Sequence, residues 1–257
     1  MRTVKNFSRL LFVTVIVLLT ACQKLLDLIP NKAVKDCRIK KIRYFNPYTS
    51  FEVDAYEGVF YYNRWGDPDS VIFEFLGESA YNLRFYYDNK KRLRELRETF
   101  QDTSAQIRHK YGYTKGLITT DTVNVWNGYA HQVNYFKYDK YERMIQFTLN
   151  FITNPPSTPV IADYVYDGNG NLEHPYLDLN YDNKINPHQL HPIWQFIAHD
   201  YSVNNPIAAE LYNNFRLPVK FNRFVTFPDI PLFTFPFPGV RYLDRSEIEY
   251  ECKDDNH

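Results

Sequence analysis

Apolar and polar residues alternate along much of this chain. Leu83, Phe85 and Tyr87 alternate with Arg84 and Tyr86; Ile145, Phe147, Leu149 and Phe151 alternate with Met144, Gln146, Thr148 and Asn150. A period of two places one set on each face of a half-buried strand. The alternating stretches end in aromatic residues followed by a polar turn, and the last Tyr of six such segments falls at 62, 87, 113, 138, 166 and 181. The first four intervals are 25, 26, 25 and 28, the length of two strands and two turns, so each repeat reads as one β-hairpin. Asp, Asn and Gly after the Tyr suit such turns, because they accept positive φ or bond their own backbone. Arg92–Glu98 has Leu93 and Leu96 at a spacing of three, which also fits a helix; its place in the repeat assigns it to a strand.

The pattern changes after Asn186. Leu190, Ile193, Trp194, Phe196 and Ile197 stand at near-helical spacing and predict a short helix within Pro187–Asp200. Prolines at 228, 231, 236 and 238 remove ladder donors, so that stretch reads as an extended aromatic loop rather than an inner strand. Alternation resumes in Tyr242–Cys252. The predicted fold is mainly β: antiparallel hairpin repeats at about 50–186 forming a curled sheet, a partial barrel or solenoid, with a short helix, a Pro- and aromatic-rich C-terminal cap at 187–240 and a closing strand at 241–252. Residues 37–257 form one β-rich domain in this reading.

The first residues follow a different logic. Arg2, Lys5 and Arg9 lead into the apolar run Leu10–Leu19, and Leu19-Thr20-Ala21-Cys22 follows. A basic start, a short apolar core and a small residue before the cut describe a secretory signal over 1–21. A membrane-spanning helix needs about 20 apolar residues, more than this run supplies. Leu-Thr-Ala-Cys resembles the bacterial lipoprotein box, in which the cysteine becomes the diacylated N-terminus. The resemblance implies lipidation at Cys22, a stable membrane anchor and a tether over 22–36 that holds the domain off the bilayer.

Composition adds two facts. The whole chain has 30 basic and 30 acidic residues; removal of the leader takes away three basic ones and leaves the mature chain at −3. That balance offers nothing for nucleic acid. Aromatic residues reach 18%, with 22 Tyr and 20 Phe against 9 Gly, which suits a sheet carrying rings on both faces.

With Cys22 assigned to lipid, Cys37 and Cys252 remain. Export allows a disulfide, and two buried free thiols are the alternative. The flanks match as adjacent strands: Arg38 and Lys40 would face Glu249 and Glu251, while Cys37 and Ile39 share a face with Ile248, Tyr250 and Cys252.

The hairpins Tyr87-Asp88…Leu93 and Tyr166-Asp167-Gly168-Asn169-Gly170-Asn171-Leu172 resemble YD repeats. The layout is similar to the short YD-repeat-type lipoproteins of Bacteroidota, over roughly 50–186; the copies at 62 and 113 lack the Asp. Long YD-repeat proteins form hollow shells around toxin domains, a role this chain is too short to share. The resemblance implies an outer-membrane, lipid-anchored protein. Gln23 and Lys24 follow the lipidated cysteine, whereas surface-export signals tend to be more acidic, so the periplasmic and surface faces both stay open.

Candidate chemistry is sparse. Asp167, Asn169 and Asn171 alternate oxygens as calcium loops do, but Leu172 stands where that loop wants Gly and Asp178 where it wants Glu, and a hairpin turn explains the same residues. His188, His191, His199 and Asp200 lie near the predicted helix, where capping or surface roles explain them better than a metal site. No nucleophile elbow, P-loop or dinucleotide motif is present, so neither a catalytic residue, a metal nor a cofactor is expected. Trp65, Trp126 and Trp194 are candidate sugar-stacking platforms; packing in the core, or in Trp65's case on its own turn, is the alternative. The expected function is non-catalytic binding of a glycan or envelope protein. Alternatives are a hydrolase of envelope polysaccharide with a hidden carboxylate pair, or a structural spacer.

Overall fold

The computed structural model describes residues 36–45, 55–74, 81–100, 106–125, 129–153, 157–174, 181–206, 209–221 and 246–253. The chain divides into two units, Met1–Asp36 and Cys37–His257. The leader, Cys22, most of the tether, Trp126 and the proline-rich stretch after Phe221 lie outside the described residues.

Ten strands run as an antiparallel meander: β1 (Cys37–Phe45), β2 (Ala55–Tyr62), β3 (Pro68–Glu74), β4 (Tyr81–Tyr87), β5 (Leu93–Phe100), β6 (Gln106–Thr114), β7 (Leu117–Val125), β8 (Tyr129–Tyr138), β9 (Met144–Phe151) and β10 (Val160–Asp163). A two-stranded ribbon follows, β11 (Val165–Tyr166) with β12 (Leu172–His174). A 3-10 turn at Pro187–Leu190 leads into helix α1 (Pro192–Ala198). Then β13 (Leu211–Tyr212), β14 (Pro218–Phe221) and β15 (Ser246–Cys252) rejoin the sheet on the far side of β1. Residues 209–221, expected in the cap, therefore add two strands.

The first and last strands are neighbours: β1 pairs β15 in the register Cys37↔Cys252, Arg38↔Glu251 and Ile39↔Tyr250. Cys37 and Cys252 form a disulfide with S–S 2.01 Å. Arg38 reaches Glu251 at 2.7 Å and Lys40 reaches Glu249 at 2.6 Å on the exposed side.

This adjacency does not close the sheet. The expected partial barrel or solenoid is instead an open sheet of 13 strands without strong curl. The reason is topological. β1 lies in the interior of the strand order, the meander grows from it in one direction, and β15, β14 and β13 grow in the other. The edges are β10 and β13, and both are short, which limits edge-to-edge pairing.

Five of the hairpins share one turn. In the copies at Asn63, Asp88, Asp139, Asp167 and Asn213, the Asx backbone N–H donates to the carbonyl four residues on, at 2.8–3.0 Å. The side-chain Oδ1 accepts from the N–H groups two and four residues on, as Asp88 does from Lys90 and Arg92 at 2.9 Å each. The fourth residue takes positive φ: Gly66 91°, Lys91 59°, Glu142 62°, Gly170 85° and Arg216 64°. This is a three-residue loop with a left-handed last position. Asn63 makes the turn as well as Asp does, because only Oδ1 is needed. The copy at Asp182 makes no hairpin; its N–H donates to Asn205 instead.

Four of the tyrosines before hairpin turns share a task. Each hydroxyl donates to a backbone carbonyl on the previous hairpin, just past that hairpin's turn. Tyr87 reaches Pro68 at 2.6 Å, Tyr113 reaches Leu93 at 2.8 Å, Tyr138 reaches Ile118 at 2.7 Å and Tyr166 reaches Met144 at 3.1 Å. Each of these repeats is thereby latched to the one before. A register shift at each of these tyrosines turns the ring toward its neighbour.

Bulges also override strict alternation. Ile39 and Ile42 are three apart yet both buried, because Lys40 and Lys41 are accommodated where the register slips. Met144 is fully buried beside Phe147 for the same reason, rather than facing away from it. Helix α1 covers one face: Trp194 meets Phe60 and Phe85 edge-on at 5.4 and 5.7 Å, and Phe196 meets Tyr111 and Phe136 at 5.4 and 5.1 Å. The core comprises two clusters under this helix, one around Trp194 and one around Phe196.

Candidate functional site

Trp65 and Trp194 do not form a shared platform, and Trp126 lies outside the described residues. Trp194 is 1% exposed and packs in the core, so it offers no stacking surface. Trp65 is half-exposed on the β2–β3 turn, with Arg64 and Lys91 at 4.5 and 5.1 Å from its ring. Trp194 in the core is the alternative that the sequence left open beside the platform.

The histidines near α1 brace the helix. The His191 ring nitrogen accepts from Ile193 N–H at 3.2 Å as an N-cap, its Nε2 lies 3.4 Å from Asp67, and Pro192 occupies the first helical position. His199 ends the helix at φ 51°. The His188 Nδ1 and Asp200 Oδ2 are 3.0 Å apart, and Asn186 donates to the same oxygen at 2.8 Å. Burial would push the Asp200 carboxyl up, but His188 and the bond from Ser202 N–H at 2.8 Å outweigh it and hold the carboxyl below its ordinary range. Among the described residues no three His, Cys, Asp or Glu side chains converge to hold a metal. Asp167 spends Oδ1 on its own turn, accepting from Asn169 and Asn171 at 2.8 Å each.

One polar cluster was not legible in the sequence. Glu98, His109, Asp121 and Asn134 lie on neighbouring strands β5 to β8 of the helix-covered face. His109 Nδ1 is 2.9 Å from Asp121 and Nε2 is 3.2 Å from Glu98, while Asn134 donates to Asp121 at 3.1 Å. Burial alone would lower the His109 pKa, but the two carboxylates outweigh it and push it up to about 10. The imidazole is thus a cation at neutral pH, with both nitrogens occupied. It is unsuited to act as a general base, and the two carboxylates are committed to it. The residues stand one per strand and far apart in sequence, so only the register reveals them.

The opposite face carries cross-strand rows in which Tyr61, Arg84, Arg108 and Lys110 are exposed while Ser70 and Glu95 are buried. One row runs Tyr61, Ser70, Arg84, Arg97, Arg108 and Asn124 across β2 to β7. The next contains Tyr86, Glu95, Lys110, Thr122 and Val133. Tyr61 is 48% exposed and Tyr135, on the same face, 46%. A cleft of about 350 Å³ also lies over β1, β14 and β15, but the cations along it are paired: Lys41 with Glu57 at 2.7 Å, Arg43 with Glu57 at 3.0 Å and Lys220 with Glu210 at 3.2 Å.

No family model matches the chain, and no curated protein matches it.

Proposed function

We propose that this chain is an exported lipoprotein, anchored in the outer membrane through Cys22, whose β domain binds an envelope glycan on the outward face of its sheet. The observation that carries this reading is the contrast between faces. One is covered by α1 and its ionisable cluster is internally bonded; the other presents Tyr61 and Tyr135 with polar and charged rows. Exposed rings on a flat scaffold suit the apolar faces of sugars, and neighbouring hydroxyls and amides suit their edges. The leader and Leu-Thr-Ala-Cys22 support the anchor, and the repeated Tyr-Asx hairpins support kinship with YD-repeat-type lipoproteins.

Two experiments test the reading. A glycan array probed with the mature protein should show binding that Tyr61→Ala and Tyr135→Ala weaken; an array with no signal at high protein concentration would remove the proposal. Metabolic labelling with a palmitate analogue should mark the wild type and not Cys22→Ser, which should also leave the membrane fraction. Label retained in Cys22→Ser would sink the anchor.

A further inference from the structure

The turns after β2, β4, β6 and β8 fall at one end of the sheet, because alternate turns of a meander share an end. Their tips are Arg64-Trp65-Gly66, Asn89-Lys90-Lys91, Lys115-Gly116 and Lys140-Tyr141-Glu142, and all of these residues are exposed. The first three tips hold four cations and no carboxylate. The acids that flank the first two are engaged: Asp67 lies 3.4 Å from His191, and Asp88 pairs with Arg92 at 2.7 Å. Exposed carboxylates follow at Asp69 on β3 and Glu142 on the fourth tip. Arg64, Lys90, Lys91 and Lys115 make no ion pair among the described residues. Two of them lie instead over an exposed ring: Arg64 and Lys91 stand 4.5 and 5.1 Å from that of Trp65, which is 50% exposed. Lys91 comes from the neighbouring tip, so the first two tips form one patch. Tyr141, 65% exposed, repeats the arrangement with Lys140 and Arg143 at 4.9 and 5.2 Å.

The chain enters the β domain at this same end. β1 is antiparallel to β2, so its first residue, Cys37, lies where β2 runs into the Trp65 turn. The Tyr62 hydroxyl accordingly reaches the Ile39 carbonyl at 2.8 Å, and Arg38 lies 4.9 Å over the Tyr62 ring. We infer that this end of the sheet docks on an anionic phospholipid bilayer, with Trp65 at headgroup level and Arg64, Lys90 and Lys91 on the lipid phosphates around it. The inference rests on the reading of Cys22 as a lipid anchor and adds a second contact, made by the domain itself. The tether over 22–36 can span at most about 50 Å, and it joins the domain beside the patch. Trp favours the membrane–water interface, where its ring is buried and its N–H stays wet. Lys and Arg lay their stems along apolar surface and keep their charge at the phosphates. Each cation near an anionic surface strengthens binding about fivefold. Three such steps are modest for a free protein, but a lipid tether makes the contact intramolecular. A neutral sugar on the Trp65 ring would call for hydrogen-bonding amides and carboxylates around it; cations surround it instead. Docked by this end, the domain keeps the outward face of its sheet clear of the bilayer.

The test uses the mature chain with Cys22→Ser, so that binding does not depend on acylation. The probe is vesicles of phosphatidylcholine and phosphatidylglycerol with brominated acyl chains; phosphatidylcholine vesicles and immobilised dextran are the controls. Cys22→Ser should sediment with the phosphatidylglycerol vesicles at millimolar lipid in a salt-sensitive manner, and bromine should quench its tryptophan fluorescence. Adding Trp65→Phe should remove that quenching. Adding Lys90→Gln/Lys91→Gln should weaken partition about 25-fold, two steps of about fivefold. Adding Lys220→Gln, in the paired cleft, should leave partition unchanged. Absence of partition overturns the inference, as does partition and quenching undiminished by the Trp65 and lysine substitutions. Equal partition to phosphatidylcholine alone overturns it too, and so does Trp65-dependent binding to dextran without binding to vesicles. Palmitate labelling separates this result from the anchor. Label at Cys22 with no partition of Cys22→Ser removes the docking surface and leaves the anchored lipoprotein. Partition of Cys22→Ser with no label in wild type leaves the docking surface and removes the anchor.

Discussion

A single Tyr hydroxyl does measurable work in this fold. Tyr87 is latched to the Pro68 carbonyl at 2.6 Å, and burial raises its pKa. Tyr87→Phe should lower unfolding free energy by about 0.5–1.5 kcal/mol, the net worth of one hydrogen bond, read from urea midpoints; an unchanged midpoint would deny the latch an energetic role. Two histidines predict opposite limbs of the pH profile. An unfolded histidine titrates near 6.5. His109 has a folded pKa of about 10. Its stabilising contribution is therefore complete below about 6.5 and is lost as pH rises toward that folded value. Burial brings His199 down to about 4, with Tyr164 hydroxyl 3.1 Å from its Nδ1 and Asp121 the carboxylate that opposes the shift. The unfolded chain then takes up that proton first, so stability falls as pH drops from about 6.5 toward about 4. Urea midpoints across this range should show both limbs. His109→Gln should remove the alkaline limb and cost about 3–5 kcal/mol near neutrality, because it leaves two carboxylates buried without their cation. His199→Asn should flatten the acid limb. A flat wild-type profile would contradict both assignments.

Elements are held by different means along the sheet. The meander is local: each strand pairs with the next, and the shared turn sets register. β15 is the exception, since it joins β1 across a sequence separation of 215, where the Cys37–Cys252 disulfide sits. A loop of that length carries a large closure entropy in the reduced unfolded chain. Cys37→Ser/Cys252→Ser should therefore cost about 2–5 kcal/mol, with the loss appearing first as hydrogen exchange in β1 and β15. Equal stability of oxidised and doubly substituted protein would refute this. Helix α1 is too short to stand alone and owes its place to Trp194 and Phe196. Trp194→Ala should cost about 3–5 kcal/mol. The β1–β6 core around it should lose protection before the Phe196 cluster over β8 and β9; simultaneous loss would mean that the clusters do not separate.

At the scale of the molecule, the strands were legible because hydrophobic period and turn chemistry agree. Leu83 and Phe85 face the core as their alternation requires, and Asp88 and Asp167 make the turns their sequence suggests. The hairpin at Tyr212-Asn213 carries the same Tyr-Asn signal as Tyr62-Asn63, but it lies in the stretch that the change of pattern after Asn186 assigns to a cap, outside the run of intervals near 25. The sites were less legible. Arg84, Arg97 and Arg108 are scattered polar positions in a linear reading, and they become a row only through two registers. Glu98 and His109 are isolated polar positions in a linear reading, and only the register shows that they point into the covered face and bond each other there.

The sequence by itself determined the class of structure. Its alternation makes strands, its Asx turns make hairpins, and the matched charges beside Cys37 and Cys252 make the first and last strands neighbours. These are short-range or pairwise rules, and they are written in adjacent residues. Only the tertiary structure decided that the sheet stays open, that Trp194 is core, that residues 209–221 become strands, and which cations stand side by side. Strand order, bulges and register settle those outcomes. They depend on the free energy of the whole packed sheet, because one slipped residue turns every later side chain to the other face.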